Sequence, residues 1–160
     1  MLTLSVMLIR LAAAVLLGAI VGLERELIGK EAGIRTNIMV AAGAALFSVA
    51  GITLPYLIAL SPENLSDVIA HNGGFLTLIG NVVIGVGFLG AGIIVKDGIR
   101  VRGLTTAATV WFTAAVGVLC GIGLIELAAI AVVGLALLLF ILRKMRMHRL
   151  RGAADENDAE

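Results

Sequence analysis

The charged residues of this chain are not scattered at helical spacing but gathered between apolar runs of roughly 17 to 23 residues. A run of that length crosses hydrocarbon as a helix, at about 1.5 Å per residue. In lipid every backbone polar group must find a partner inside the protein, so several such runs in series predict an all-α, polytopic bundle of membrane helices. Composition agrees, with 60% hydrophobic and 14% charged residues and a mean hydropathy of +1.09, outside the range of ordinary soluble domains. The net charge is +1 and the basic residues sit beside apolar runs, so nothing points to nucleic acid. Cys120 stands alone in an apolar run, which leaves neither a disulfide framework nor a thiolate metal site.

Five transmembrane helices can be drawn, at about 2–23, 38–60, 75–95, 104–120 and 124–142. Pro55 falls near the end of the second, where a kink or break is tolerable. The apolar stretch from Leu104 to Leu142 is too long for one crossing, and Gly121-Ile122-Gly123 divides it. The first run is a retained span and not a signal peptide: it lacks a basic n-region, carries Arg10, and ends in Glu24-Arg25-Glu26 without a small-residue cleavage site. Residues 143–160 form a charged tail, basic from Arg143 to Arg151 and acidic from Asp155 to Glu160, expected to be disordered beside an anionic leaflet.

Lys and Arg fall in alternate connections. Arg25, Lys30 and Arg35 follow span one, Lys96, Arg100 and Arg102 follow span three, and the basic tail follows span five. The connection from Ser61 to Gly74 offers Glu63, Asp67 and His71, and the Gly121–Gly123 turn precedes Glu126. The positive-inside rule then places the N-terminus outside and the C-terminus in the cytoplasm.

That topology gathers Glu24, Arg25, Glu26, Arg35, Thr36, Arg102, Thr105 and Thr106 at the cytoplasmic face. Spans two and four start there, and helix N-termini present unsatisfied N–H groups and the positive end of the dipole. Thr36 or Asn37 and Thr105 or Thr106 are expected as caps. Two readings stand: an interfacial clamp of ion pairs and caps, or an anion-favouring site for a ligand or partner.

Gly85, Gly87, Gly90 and Gly92 lie in one apolar run, and each disfavours a helix by about 1 kcal/mol relative to Ala. Either another helix comes close, as Gly18–Gly22 and Gly117–Gly121 permit by their GxxxG spacing, or the run unwinds and exposes carbonyls to a cation. Polar groups inside the hydrocarbon are functional candidates by default. Arg10, Asn81 and Glu126 all fall in the outer half of the bundle, where Arg10 and Glu126 are expected to pair with Asn81 bridging, or to line an outward vestibule.

The order Arg10-Leu11, Gly18…Gly22-Leu23-Glu24-Arg25-Glu26, Ala32-Gly33-Ile34-Arg35-Thr36, Gly85-Val86-Gly87-Phe88-Leu89-Gly90-Ala91-Gly92 and Arg102-Gly103-Leu104-Thr105-Thr106 through Trp111 resembles the MgtC/SapB family of bacterial membrane proteins. The resemblance implies a multi-pass protein of the cytoplasmic membrane, associated with magnesium limitation, with virulence in some pathogens, and with modulation of membrane partners including the F-type ATP synthase. In many members an Asp closely followed by an Arg precedes span three, where this chain has Gly74 and Thr77, and Asn81 falls where a Gln is common. Some members also carry a soluble regulatory domain after the last span, where a charged tail is expected here.

Mg2+ takes oxygen ligands in near-octahedral geometry and gives up water reluctantly. No span carries a central carboxylate, which argues against a dedicated Mg2+ carrier and leaves open a hydrated pore or a carbonyl site; a bound Mg2+ is not required. His71 and His148 fall on opposite sides and no nucleophile–base set is visible, so an enzyme is not expected. The leading expectation is a non-catalytic regulator acting through helix contacts with itself, as a dimer, or with a partner. Transport of a cation or small solute is the alternative.

Overall fold

Apolar runs bounded by glycines become helices with defined ends. The computed structural model describes residues 2–59, 64–71 and 74–157. Its elements run α1 Leu4–Leu27, α2 Ile34–Ile58, α3 Leu65–His71, α4 Gly74–Ile93, β1 Val95–Asp97, β2 Arg100–Arg102, α5 Leu104–Ile122 and α6 Ile125–Asn157. Leu4–Leu27, Ile34–Ile58, Leu104–Ile122 and Ile125–Met145 are long and apolar enough to cross a membrane, and Thr77–Ile93 within α4 is a shorter apolar helix. Among the described residues the chain is all-α apart from one small hairpin, with four helices long and apolar enough to cross a membrane where five were expected.

Several boundaries depart from the sequence expectation. Helix α1 continues through Glu24-Arg25-Glu26, read above as a connection, because nothing there breaks a helix. It stops where Gly29 takes the left-handed region (φ 64), so that Gly29 N–H donates to the Glu26 carbonyl and Lys30 N–H to that of Arg25, each at 3.0 Å. These bonds close the last carbonyls as a glycine C-cap does. Gly123 (φ 98) ends α5 in the same way.

Helix α2 begins at Ile34, a turn before the expected start, and carries Pro55 in its final turn. Helix α4 ends at Ile93, and Val95, expected inside span three, opens a hairpin in which Val95 faces Arg102 and Asp97 faces Arg100. Gly98 (φ 59) provides the tight turn between its strands. Helix α6 passes the expected stop at Leu142 and reaches Asn157, so the stretch expected as disordered is helical that far. The expected outer connection contains α3, while Glu63 lies outside the described residues.

Helix α5 is the hub, packing against α1, α2, α4 and α6. The core is built from small side chains: Ala14, Ala41, Ala45, Val116, Cys120, Ala128 and Val132. Small residues let backbones approach, which is the main route to helix association in lipid. Gly18 sits against the Asn37 carbonyl and the Ala41 methyl, and Gly22 against Gly33 and Ile34. From the opposite side Gly117 sits against the backbone of Ala41, and Gly121 against Ala45 and Ser48. Helix α2 is thus clamped between two GxxxG faces.

Candidate functional site

The clamp brings a seam of polar side chains together at the basic end of the bundle. Consecutive residues on a helix point about 100° apart, so Glu24, Arg25 and Glu26 part company. Glu24 lines a groove between α1 and α6 with Phe140 and Arg143. Glu26 reaches the start of α2, where its Oε2 accepts the Ile34 N–H at 3.1 Å. Arg25 follows Ala14, Gly18 and Gly22 on the inward face of α1 and is only 3% exposed. Its Nη2 donates to Thr106 Oγ1 at 3.4 Å, and its buried Nε has no hydrogen-bond partner.

Deeper along the same seam Asn37 is fully buried. Its Nδ2 donates to the carbonyls of Ala32 and Gly33, and its Oδ1 accepts the Thr113 hydroxyl at 2.7 Å. The single Thr113 hydroxyl proton is shared with the Thr109 carbonyl at 2.9 Å, and the Thr109 hydroxyl donates to the carbonyl of Thr105. A buried amide satisfied on both sides fixes the register of α2 against α5, since any slip leaves polar groups unpaired.

The expected caps are corrected. Gly33 and Gly103 occupy the N-cap positions without side-chain bonds. Arg35, Thr36, Arg102 and Thr105 are exposed, while Thr106 turns inward. The expected clamp of ion pairs does not form among Glu24, Glu26, Arg35 and Arg102 in the described residues. A carboxylate on the end of α2 replaces it.

At the other end, Arg10 does not pair with Glu126. Its Nη1 donates to the Gly121 carbonyl at 2.8 Å, and its guanidinium packs against Gly123, where a Cβ would stand 2.7 Å from Nη2. The physical reason is the end of α5, whose last carbonyls carry the negative pole of the helix and lack intrahelical donors. Glu126 is exposed on α6. Asn81 bridges neither: it lines a groove of about 680 Å3 between α2 and α4, walled by Met39, Gly43, Phe47, Gly85 and Leu89. Among the described residues its amide makes no side-chain hydrogen bond.

Helix α4 is continuous from Gly74 to Ile93, so its glycines do not unwind it. Gly90 meets the Ala107 methyl at 3.6 Å, whereas Gly80, Gly85, Gly87 and Gly92 have nothing within 4 Å. Phe88, on the same helix, is 81% exposed. Among the described residues no group of three His, Cys, Asp or Glu could hold a metal ion.

Sequence reasoning took Asn37 for a helix cap, gave no role to Thr109 or Thr113, and treated Arg25 as interfacial. A signal was present: Thr106, Thr109 and Thr113 recur at helical spacing within an apolar run, marking one polar stripe on α5.

The profile of the MgtC family matches residues 11–148. The protein named Protein MgtC from Brucella abortus (strain 2308) is 47% identical over 123 residues, covering 77% of this chain and 45% of the relative. Protein MgtC from Salmonella typhimurium (strain LT2) is 44% identical over 115 residues, covering 72% of this chain and 43% of the relative. The chain spans less than half the length of these curated relatives. No solved structure matches it.

Proposed function

The chain belongs to the MgtC family, and on that premise we propose that it is a non-catalytic regulator in a bacterial inner membrane, linked to magnesium homeostasis, that works through helix contacts on the outward face of α4. The contrast between two sets of glycines carries this reading. Gly18, Gly22, Gly117 and Gly121 are used inside the chain, while Gly80, Gly85, Gly87 and Gly92 meet nothing within it. A glycine in a helix costs about 1 kcal/mol relative to Ala, and four open ones on one helix make sense where a further helix approaches.

A second copy of this chain is the first occupant of that face. The Asn81 amide has both donors and an acceptor, so two copies related by a two-fold axis satisfy each other. Another membrane protein, such as an ATP synthase, is the other class of partner. The asymmetry of Lys and Arg supports five crossings, with α4 among them, the N-terminus outside and the C-terminus cytoplasmic.

The test is association of two differently tagged full-length copies in membranes. Gly87→Leu and Asn81→Leu should each lower it by roughly tenfold or more while insertion and helix content stay unchanged; undiminished association of both variants sinks the reading. The groove of about 680 Å3 beside Asn81 favours a second reading, transport of a cation or small solute. Mg2+ flux into liposomes holding only this protein, lost on Asn81→Ala, would move the function there.

A further inference from the structure

A cation buried beside the positive end of a helix lacks a counter-charge. Arg25 is 3% exposed, uses one weak hydrogen bond, to Thr106, and leaves Nε buried and unpaired. Guanidinium groups keep their charge in proteins and carry five N–H donors. Thr106 lies in the first turn of α5, whose N-cap Gly103 supplies no side-chain acceptor, so the N–H groups of Leu104, Thr105 and Thr106 are unanswered by a cap. Gly22, one turn before Arg25 on the same face, touches the first residue of α2, which brings a second helix N-terminus to the site. The nearest acids are spent elsewhere, Glu26 on the Ile34 N–H and Glu24 on the side facing α6.

We propose that Arg25, Thr106 and the first turn of α5 hold a phosphate group at the basic end of the bundle. Helix N-termini bind such anions through backbone N–H groups and the dipole. The planar guanidinium fork pairs with two phosphate oxygens, and a tetrahedral oxyanion has further oxygens for donors arriving from α5, which a carboxylate lacks. The group comes either from free phosphate or from the headgroup of an anionic lipid, and the two share this chemistry.

The full chain in maltoside micelles separates these sources. Equilibrium dialysis against radiolabelled inorganic phosphate forms one arm, and native mass spectrometry with added phosphatidylglycerol the other. Saturable binding of at least one probe is expected, weakened by roughly tenfold or more in Arg25→Gln and measurably in Thr106→Val. Arg35→Gln, which removes an exposed charge at the same end, should leave binding unchanged. Binding of neither probe, or equal losses in Arg25→Gln and Arg35→Gln, overturns the proposal. If Arg25→Gln does not fold, Thr106→Val decides alone: it preserves shape and removes the hydroxyl, and unaltered binding refutes the site.

Discussion

Gly22→Ala and Gly85→Ala, measured side by side, separate inward from outward glycines. Both substitutions improve helix propensity by about 1 kcal/mol. At Gly85 the new methyl meets nothing within 4 Å, so the isolated chain registers that gain alone. At Gly22 it would stand 2.5 Å from Ile34 Cα, 2.8 Å from the Gly33 carbonyl oxygen and 2.9 Å from Ile34 N. All three are backbone atoms, and ordinary carbon contacts lie at about 3.5–4.0 Å, so α1 and α2 must separate by roughly 1 Å. That movement loosens Gly18 against Ala41 and stretches the bond from Ile34 N–H to Glu26. Overpacking a filled interface costs about 1–3 kcal/mol, and losing a helix N-terminal acceptor about 0.5–2 kcal/mol. After the propensity gain, a net destabilisation of roughly 0.5–4 kcal/mol is expected for Gly22→Ala. Denaturation in mixed SDS micelles, followed by far-UV circular dichroism at dilutions where the chain is monomeric, reads this directly. Equal stability of Gly22→Ala and wild type, or a larger loss for Gly85→Ala, would refute the division.

Other consequences can be checked in the same micelles. Asn37→Ala should cost about 1–3 kcal/mol by removing the bond to Thr113 and leaving the Ala32 carbonyl without its amide donor, and a double-mutant cycle with Thr113→Val should give a coupling of about 0.6–1.7 kcal/mol; a coupling near zero removes the seam as a register device. Arg10→Leu should destabilise by about 1–2 kcal/mol, whereas Glu126→Gln should stay within about 0.5 kcal/mol of wild type. Comparable losses would restore the ion pair that the Gly121 contact displaces. A reporter fused after Glu160 should read cytoplasmic and one near Asn64 external, and the reverse result would move the Arg25 seam to the outer face.

What the sequence disclosed and what it hid divide along a physical line. Hydropathy is a local property, so the apolar runs and the break at Gly121–Gly123 could be read directly, whereas the stop of α1 at Gly29 lay past the expected end at Leu23. GxxxG spacing also marked Gly18–Gly22 and Gly117–Gly121 as close-packing faces, because the period of one helix determines which residues share a side. Pairing between helices is not local. Asn37 and Thr113 are 76 positions apart, and nothing in either neighbourhood names the other. Arg10 was matched to Glu126 by formal charge, but the Gly121 carbonyl at the end of α5 is a partner that no residue letter spells. Glu24-Arg25-Glu26 looked like a solvated link because three charges in a row rarely sit in a membrane helix. The helix continues, and its rotation sends one of the three inside.

The two classes of glycine also separate two kinds of function. Helices α1, α2 and α5 form a closely packed unit whose backbones touch through Gly18, Gly22, Gly117 and Gly121, and whose interior holds Asn37, Thr113 and Arg25. A change there disturbs the fold and any phosphate beside Arg25 together, because the same contacts position both. Helix α4 docks on α5 through Gly90, while Gly80, Gly85, Gly87 and Gly92 meet nothing within 4 Å, so changes on its outward side spare the buried seam. The two faces therefore make opposite demands: phosphate binding should survive Gly87→Leu, and association should survive Thr106→Val. A variant set in which both properties fail together would mean that α4 and the Arg25 seam are coupled through α5, and the outward face could no longer be treated as an independent docking surface.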